Sequence, residues 1–273
     1  MTMPRRLLSF ACLVVVLVGC ARSGPVATTV GTAAGGTAAG TPDASATRPA
    51  TASASPEASA TPTPSAPARV DCTKLKCVAL TFDDGPGPQT PTLLATLVDK
   101  KVPATFFLVG RMIKQHPATA RRIAQTPGMT VANHTMIHPM LTRIAAARAA
   151  AEITDNTKLI QKTTGVKPRY FRPPYGLHNN RTDAVAKKLG QAVVLWSAGA
   201  LDWQYDTPAK IVEVTLPQIT PGAIVLAHDI HPWTIKAVPS LIAKLRAKGY
   251  TLVSLDDILR NPRAGNTYSR GLH

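Results

Sequence analysis

The chain is short of acidic and aromatic residues. Of its 273 residues, 15 are Asp or Glu against 31 Lys or Arg, and Phe, Trp and Tyr make up 5%. The resulting net charge of +16 favours polyanionic partners, although a merely solvated basic surface explains it equally well. No Gly-x-Gly-x-x-Gly run follows the first predicted strand, and no Gly-x-Ser-x-Gly run occurs. These absences count against a dinucleotide-binding fold and a serine hydrolase with a nucleophile elbow.

The first twenty residues have the layout of a bacterial export signal. Arg5 and Arg6 precede an apolar stretch at 7–19, which is too short for a comfortable membrane span. The stretch ends in Leu-Val-Gly-Cys and resembles the lipobox, in which the cysteine, here Cys20, is lipidated after cleavage. We predict a lipoprotein on the outer face of the cell membrane, facing the cell wall. An ordinary signal peptide and a twin-arginine signal are the alternatives.

Cysteine is scarce outside this signal. Cys12 lies in the apolar stretch and Cys20 is the predicted lipidation site, so only Cys72 and Cys77 of the four cysteines remain. An exported chain meets an oxidising compartment, and we therefore predict a disulfide between these two residues. A metal site built from two cysteines alone is less expected.

Residues 21–70 differ in composition from the rest of the chain. Ala, Ser, Thr, Pro and Gly account for 42 of these 50 residues, and none is aromatic. Such a segment buries too little apolar surface to offset its ordering entropy, so we predict a disordered tether after the signal at 1–20. The predicted folded domain spans 71–262. Gly, Asn and Ser in the last residues predict a flexible tail at 263–273.

Short apolar runs alternate with amphipathic segments throughout the predicted domain. The alternation predicts a parallel sheet with helices outside, and seven repeats favour a barrel over an open sheet. The predicted strands are 77–82, 104–109, 129–134, 168–173, 192–197, 223–228 and 250–255. The predicted helices are 90–101, 111–126, 141–164, 181–190 and 238–249.

Polar residues that are unusual beside buried strands stand where the predicted strands end. In a (β/α) barrel this edge carries the active site. Their shared position indicates function more strongly than any one of them alone. They are Asp83 and Asp84 after strand one, His134 after strand three, Arg172 after strand four, Asp202 beyond strand five and His228 after strand six.

Two adjacent carboxylates after a buried strand require a positive partner. His134 and His138 are four residues apart, and with Asp84 they form a set of two imidazoles and one carboxylate that leaves positions open on a divalent cation. A histidine pair with this spacing is by itself more often structural. Asp83 then remains free to act as a base, kept ionised by Arg172.

His228 is a candidate general acid. Asp202 is placed to hold its imidazole in one tautomer and to support the charged form. Taken alone, His228 is explained more readily as a hydrogen-bonded loop histidine.

Five motifs, in this order, resemble those of the polysaccharide deacetylase family, carbohydrate esterase family 4. The resemblance covers the whole predicted domain and implies a distorted (β/α)7 barrel similar to a TIM barrel. The motifs are TFDDGPGP at 81–88, HTMIHPML at 134–141, FRPPYG at 171–176, LDW at 201–203 and LAHD at 226–229.

The resemblance also implies a role for each matching residue. The implied roles are Asp83 as base, Asp84, His134 and His138 as ligands of a metal that is usually zinc and in some members cobalt, Arg172 as tether of the base, the backbone N–H of Tyr175 as oxyanion donor, His228 as acid supported by Asp202, and Trp203 and Leu226 as walls of the acetyl pocket. One position departs from the family, since many members carry Asp where this chain has Gly199. We expect this change to lower the rate or to alter substrate choice.

The implied activity is metal-dependent hydrolysis of N-acetyl groups on a β-1,4-linked amino-sugar polymer, either peptidoglycan or a chitin-type oligosaccharide. Two alternatives remain open: an O-acetyl esterase acting on acetylxylan, and a catalytically weak wall-binding lipoprotein. We expect a monomer whose partners are a glycan polymer and, through its lipid, the membrane. No nucleic-acid-binding motif is present, and we expect no nucleic-acid partner.

Overall fold

The computed structural model describes residues 69–271. The predicted export signal, the lipidation site at Cys20 and nearly all of the predicted tether lie outside the described residues. Within 69–271, no helix combines the length and the apolar character that a membrane crossing requires.

Nine strands of the described part form one sheet, and every hydrogen-bonded pair of these strands is parallel. The strands are β1 Lys76–Asp83, β2 Ala104–Leu108, β3 Met129–Asn133, β4 Tyr170–Phe171, β5 Ala192–Val194, β6 Ala198–Gly199, β7 Ala223–His228, β8 Tyr250–Leu252 and β9 Thr267–Tyr268. Their order is β6-β7-β1-β2-β3-β4-β5-β9, with β8 paired to β1. The predicted α/β architecture with a curled parallel sheet is confirmed.

Eight α-helices lie between or after the strands of the described part. They are α1 Thr90–Asp99, α2 Gly110–Gln115, α3 Pro117–Gln125, α4 Ala146–Thr164, α5 Asn180–Leu189, α6 Pro208–Thr215, α7 Pro232–Ala247 and α8 Leu255–Leu259. The predicted helix 111–126 is two helices, because Pro117 has no N–H for a continuous hydrogen-bond ladder and instead begins α3. The short helices α6 and α8 were not predicted.

The core lies between the helices and the central strands. All five residues of β2 are buried, and so are seven of the eight residues of β1, as expected for parallel strands covered on both faces. Helix α1 buries Leu93, Leu94 and Leu97, a spacing that places them on one face of the helix. Phe82 and Phe106 meet within this core, with ring centroids 5.5 Å apart.

The register of the strands, which decides which residues lie side by side on neighbouring strands, arranges the inward-facing side chains in layers. Asp83 at the end of β1 lies beside His228 at the end of β7. Two residues earlier, Thr81 lies beside Leu226, and Leu226 in turn lies beside Gly199 of β6. Register partners in a parallel pair point to the same face, and so do residues two apart on a strand. The layer of Asp83 therefore stands directly above the layer of Leu226 and Gly199.

The predicted strand 192–197 is interrupted after Val194. Arg172 donates from Nε to the carbonyl oxygen of Val194, at 3.0 Å, and from Nη2 to that of Leu195, at 2.9 Å. The carbonyl oxygens of Val194 and Leu195 therefore accept hydrogen bonds from a side chain, where in a continuing strand they would accept from the backbone N–H groups of a neighbouring strand. The chain resumes as β6 only at Ala198, where it pairs with β7.

The predicted flexible tail is wrong for residues 263–271. Strand β9 pairs with β5, Arg270 forms an antiparallel bridge with Ala223, and the N–H of Gly271 donates to the carbonyl oxygen of Gly222 at 2.8 Å. Pairing of a two-residue strand with a partner about seventy residues away leaves no local pattern in the sequence. The small polar residues of the segment form turns in an ordered structure.

The predicted disulfide between Cys72 and Cys77 is present. Both cysteines are fully buried. They close a short loop that begins at Cys72, before β1, and ends at Cys77, the second residue of β1. The disulfide lies at the opposite end of β1 from Asp83 and therefore has no part in the polar cluster there.

Truncation after Arg263 tests the ordered tail. Such a chain, produced from Ala21, loses the backbone hydrogen bonds that Val193 and Leu195 donate to the carbonyl oxygens of Asn266 and Tyr268. At about 1 kcal/mol for each bond, plus lost packing, we expect the free energy of unfolding to fall by about 2–4 kcal/mol in urea titrations. A chain ending at Gly271 is the control. Equal stability of the two truncated chains would contradict the role of β9.

Candidate metal and acid–base site

Three predicted ligands meet at the carboxyl ends of β1 and β3. Asp84 follows β1 with a positive φ of 71°, and His138 ends the turn after β3 with a φ of 62°. Oδ1 of Asp84 lies 3.6 Å from Nε2 of His134 and 3.4 Å from Nε2 of His138. One ligand atom from each of the three residues therefore lies within 4.8 Å of the other two.

The geometry and chemistry of the trio fit a divalent metal ion. Ligand atoms about 2.1 Å from a tetrahedral zinc lie about 3.4 Å apart, close to the distances observed between Asp84 and the two imidazoles. Oδ1 of Asp84 is buried without any hydrogen-bond donor among the described residues, a costly state that a bound cation would relieve. The trio is therefore a candidate metal centre.

The two histidines are held in the form that binds metals. The Nδ1–H of His134 donates to the carbonyl oxygen of Arg172 at 2.7 Å, which leaves the lone pair of Nε2 directed at Asp84. Burial lowers the pKa of His134 to about 3, and burial also lowers the pKa of His138. Both imidazoles are neutral at physiological pH, as metal ligands must be.

Asp83 is paired with the most deeply buried cation of the site. Nη1 of Arg172 donates to Oδ1 of Asp83 at 2.7 Å and to the hydroxyl oxygen of Thr81 at 2.8 Å. The guanidinium lies 4.1 Å from the ring centroid of Phe107. Burial raises the pKa of Asp83 although Arg172 opposes that rise. Asp83 is therefore a tethered carboxylate with an increased affinity for a proton.

His228 and Asp202 form a second acid–base pair across from Asp83. Nδ1 of His228 lies 2.7 Å from Oδ1 of Asp202, and the backbone N–H of His228 donates to Oδ2 at 2.7 Å. Thr234 adds a hydroxyl donor to Oδ2 at 2.6 Å. Burial opposes a charge on His228, but the hydrogen bond and charge of Asp202 prevail and raise its pKa to about 9. His228 is therefore a proton donor at neutral pH.

A pocket of about 440 Å³ opens over these groups. Tyr175 and Trp203 stand at its mouth with 55% and 49% of their surfaces exposed, while Leu226 is buried at its base. Arg172 and Asp202 lie behind the residues they orient. The lining residues are Asp83, Asp84, His134, His138, Pro173, Tyr175, Trp196, Trp203, Leu226 and His228. The structure thus brings together every predicted site residue within the domain except the two cysteines.

A buried polar network under the histidine turn was not predicted. Oδ1 of Asn133 accepts from the backbone N–H of Thr135 at 2.9 Å and from Nδ2 of Asn156 at 2.8 Å. Oε2 of Glu152 accepts from the backbone N–H of Ile137 at 3.0 Å. The available signal was the presence of Asn156 and Glu152 on the apolar face of the predicted helix, where uncompensated polar groups are unfavourable.

Asp229 explains a glycine of the first motif. A Cβ atom at Gly85 would lie 2.2 Å from the carboxylate oxygens of Asp229, so only glycine lets the loop after β1 approach this closely. Oδ2 of Asp229 accepts a short hydrogen bond from Thr90. Burial raises the pKa of Asp229 to about 7. Because Gly85 lies in the loop that carries Asp83 and Asp84, its close contact with Asp229 places the carboxyl group of Asp229 directly under this loop.

The fold and site together define a parallel α/β barrel-like protein with a candidate metal centre and two acid–base pairs at the carboxyl ends of its strands. The sequence model of the polysaccharide deacetylase family matches residues 70–194. A chitooligosaccharide deacetylase of Bradyrhizobium is 36% identical over 204 residues, which cover 69% of this chain and 93% of that protein. The chain belongs to the polysaccharide deacetylase family.

Other relatives agree with this assignment. The peptidoglycan-N-acetylglucosamine deacetylase PgdA of Listeria monocytogenes is 36% identical over 184 residues, which cover 67% of this chain. The match spans 39% of the length of the Listeria protein. The solved structure of a T48 deacetylase with substrate superposes with a TM-score of 0.69 at 40% identity, covering 73% of this chain and 99% of that one.

Metal analysis tests the candidate centre independently of activity. We expect about one zinc ion per chain after dialysis against zinc, and an affinity at least a hundredfold lower in His134→Ala, because a ligand is then missing. His178→Ala is the matched control, since His178 pairs with Asp183 on α5, away from the pocket. Undiminished zinc affinity in His134→Ala would exclude this centre.

Proposed function

We propose that the chain hydrolyses N-acetyl groups of a β-1,4-linked amino-sugar polymer. One observation carries the proposal. A tethered carboxylate, Asp83, and a protonated imidazole, His228, are register neighbours at one end of the sheet, and the candidate metal ligands stand beside them. Amide hydrolysis requires a base for the attacking water and an acid for the departing amine, and this pocket presents both groups to one volume.

Asp83 is the proposed base. Its Oδ1 is engaged by Arg172, whereas its Oδ2 lies 3.5 Å from Nε2 of His134 and therefore faces the centre. A water positioned between this oxygen and the substrate carbonyl would transfer its proton to Asp83 as it attacks. Asp84, His134 and His138 would hold a divalent metal ion, which would supply polarisation of the carbonyl and a more acidic water.

His228 is the proposed acid. Because Nδ1 is engaged by Asp202, the second proton of the imidazolium lies on Nε2, which is 4.0 Å from Oδ2 of Asp84 and borders the pocket. Transfer of this proton to the amide nitrogen lets the C–N bond break. The products are acetate and a free amino sugar.

Tyr175 is the proposed oxyanion donor through its backbone N–H. The residue adopts φ 60° and ψ 10°, a left-handed conformation that is uncommon for a non-glycine residue and that often marks a functional turn. Its ring stands against His138 with centroids 4.7 Å apart. The turn is therefore held beside the metal ligands, where an N–H group can stabilise developing negative charge.

Peptidoglycan is the proposed substrate and zinc the proposed metal. The relatives named above include a peptidoglycan deacetylase and a chitooligosaccharide deacetylase, and both names specify N-acetylated amino-sugar polymers. Two imidazoles and one carboxylate form a ligand set that zinc commonly occupies in catalytic sites. A wall substrate also agrees with the sequence-based prediction of a lipid-anchored chain with a tether.

We further propose that the chain is anchored through a lipid on Cys20. Cells that express the full chain and are fed labelled palmitate should incorporate the label into the protein, and Cys20→Ser should remove it and move the protein out of the membrane fraction. Cys12→Ser is the control, because the predicted cleavage removes Cys12 with the signal. Labelling that persists in Cys20→Ser would refute the anchor.

Acetate release tests the proposed activity. The zinc-loaded chain from Ala21 should release acetate from peptidoglycan and from N-acetylglucosamine oligomers, and a chelator should stop the release. Asp83→Asn should lower kcat by about 10²–10⁴, because it removes the general base. Asp183→Asn is a matched control, since that carboxylate pairs with a histidine outside the pocket. Release from acetylxylan alone would instead indicate an O-acetyl esterase, and zinc binding without any release would indicate a wall-binding protein.

A further inference from the structure

The turn that carries the two candidate histidine ligands has a backbone that its surroundings must impose. It runs from His134 to His138 and contains no helical or strand residue. Thr135 and His138 adopt positive φ values of 68° and 62°. Such values are uncommon for residues other than glycine, and they persist where neighbouring groups hold the backbone from several sides. The contacts of the turn therefore decide where its histidines point.

All five backbone N–H groups of this turn have acceptors. The acceptors of the first, second and fifth groups are the carbonyl oxygen of Leu108 at 3.0 Å, Oδ1 of Asn133 at 2.9 Å and the hydroxyl oxygen of Thr135 at 3.0 Å. The third and fourth groups, those of Met136 and Ile137, both donate to Glu152 of α4. One residue of a helix thus holds the middle of the turn.

Glu152 accepts these two hydrogen bonds through different groups. Its backbone carbonyl oxygen accepts from the N–H of Met136 at 3.1 Å, and Oε2 accepts from the N–H of Ile137 at 3.0 Å. Only 7% of Glu152 is exposed, and the bond from Ile137 is the one hydrogen bond to its carboxylate among residues 69–271. Burial of a carboxylate is costly without such a bond. The carboxylate is therefore committed to the residue that precedes His138.

A second polar residue of α4 reaches the start of the turn. Nδ2 of Asn156 donates to Oδ1 of Asn133 and to the carbonyl oxygen of Leu108, each at 2.8 Å. Residues four apart on a helix lie on the same face, so Glu152 and Asn156 both face the turn. Helix α4 therefore fixes the beginning of the turn through Asn133 and its middle through Glu152.

The two histidines depend on this support to different degrees. The ring of His134 is oriented directly, because its Nδ1 bonds the carbonyl oxygen of Arg172 at 2.7 Å. Nδ1 of His138 makes no hydrogen bond within the described part of the chain, so the direction of its ring depends on the backbone of the turn. Glu152 neither lines the pocket nor belongs to the trio of candidate ligands. Its effect therefore reaches the site through His138.

We propose that Glu152 is a positioning residue for the metal centre, which fixes the turn so that His138 presents Nε2 to the point shared with Asp84 and His134. The inference rests on the candidate centre that the proposed function uses. A turn without this bond would have to be ordered when an ion binds, and that ordering would weaken the affinity. A carboxylate suits the task because its hydrogen bond to a backbone N–H is stronger than that of a neutral acceptor.

Zinc affinity, measured in competition with a chelating dye, tests the role of the carboxylate in the full chain. Glu152→Met keeps the length of the side chain and removes the acceptor, and we expect the affinity to fall about tenfold to a hundredfold. Glu152→Gln should stay within about threefold of the wild type, because its amide oxygen still accepts from Ile137. Asp155→Met is the matched control, since Asp155 is exposed on the same helix and pairs with Lys158.

A double-mutant cycle separates positioning from general destabilisation. Because Glu152 acts through His138, Glu152→Met should change the zinc affinity less than about twofold in a chain that already carries His138→Ala. It should keep an effect of about tenfold or more in a chain that carries His134→Ala. Losses of equal size in the two backgrounds would leave Glu152 with a purely structural role and would overturn the inference.

Amide hydrogen exchange tests the same point in the wild-type chain without any substitution. Although 44% of Ile137 is exposed, its N–H should exchange about a hundredfold more slowly than in an unstructured peptide when the chain is free of metal. Rapid exchange without zinc would show that the ion orders the turn, and the inference would fail. Zinc binding and acetate release with unchanged affinity in Glu152→Met would also overturn this inference alone. Failure of the wild type to bind zinc would overturn the candidate centre and the proposed function as well.

Discussion

The buried ion pair between Arg172 and Asp83 connects three parts of the site. One guanidinium bonds Asp83 and Thr81 on β1 and the carbonyl oxygens of Val194 and Leu195 after β5. The backbone of the same residue accepts from His134. Removing one partner of a buried ion pair leaves an uncompensated charge, which typically lowers the free energy of unfolding by about 3–5 kcal/mol. The proposed base, a candidate metal ligand and the interruption of the strand after β5 therefore depend on a single residue, Arg172, through its side chain and its backbone carbonyl.

Two histidines of the pocket show how the surroundings decide the role of one residue type. His134 meets a carbonyl oxygen and an apolar interior, and burial lowers its pKa to about 3. His228 is almost as deeply placed, but the adjacent carboxylate of Asp202 outweighs burial and raises its pKa to about 9. The first imidazole is thus available to a metal ion at neutral pH, and the second carries a proton that it can donate.

The sequence predicts the site residues that stand at the ends of strands. The carboxyl ends of parallel strands meet at one edge of the sheet, and this does not depend on how the helices pack. Asp83, Asp84, His134, Arg172 and His228 were placed in this way, and the parallel architecture and the family are confirmed. The sequence does not predict β9, whose partner lies far along the chain. Nor does it predict the network of Asn133, which depends on how α4 packs under β3 and not on any local pattern.

Two glycines near this pocket are constrained to different degrees. Gly85 is required by contact, since a Cβ atom there would collide with the carboxylate of Asp229, 2.2 Å away. Gly199 is not required by contact or by backbone conformation, since the nearest atoms to its Cβ position lie at 3.7 Å or beyond. An alanine at position 199 would meet Leu201, Trp203 and Trp196 at ordinary van der Waals distances. The close approach of two loops therefore demands glycine at position 85, and no such approach demands it at position 199.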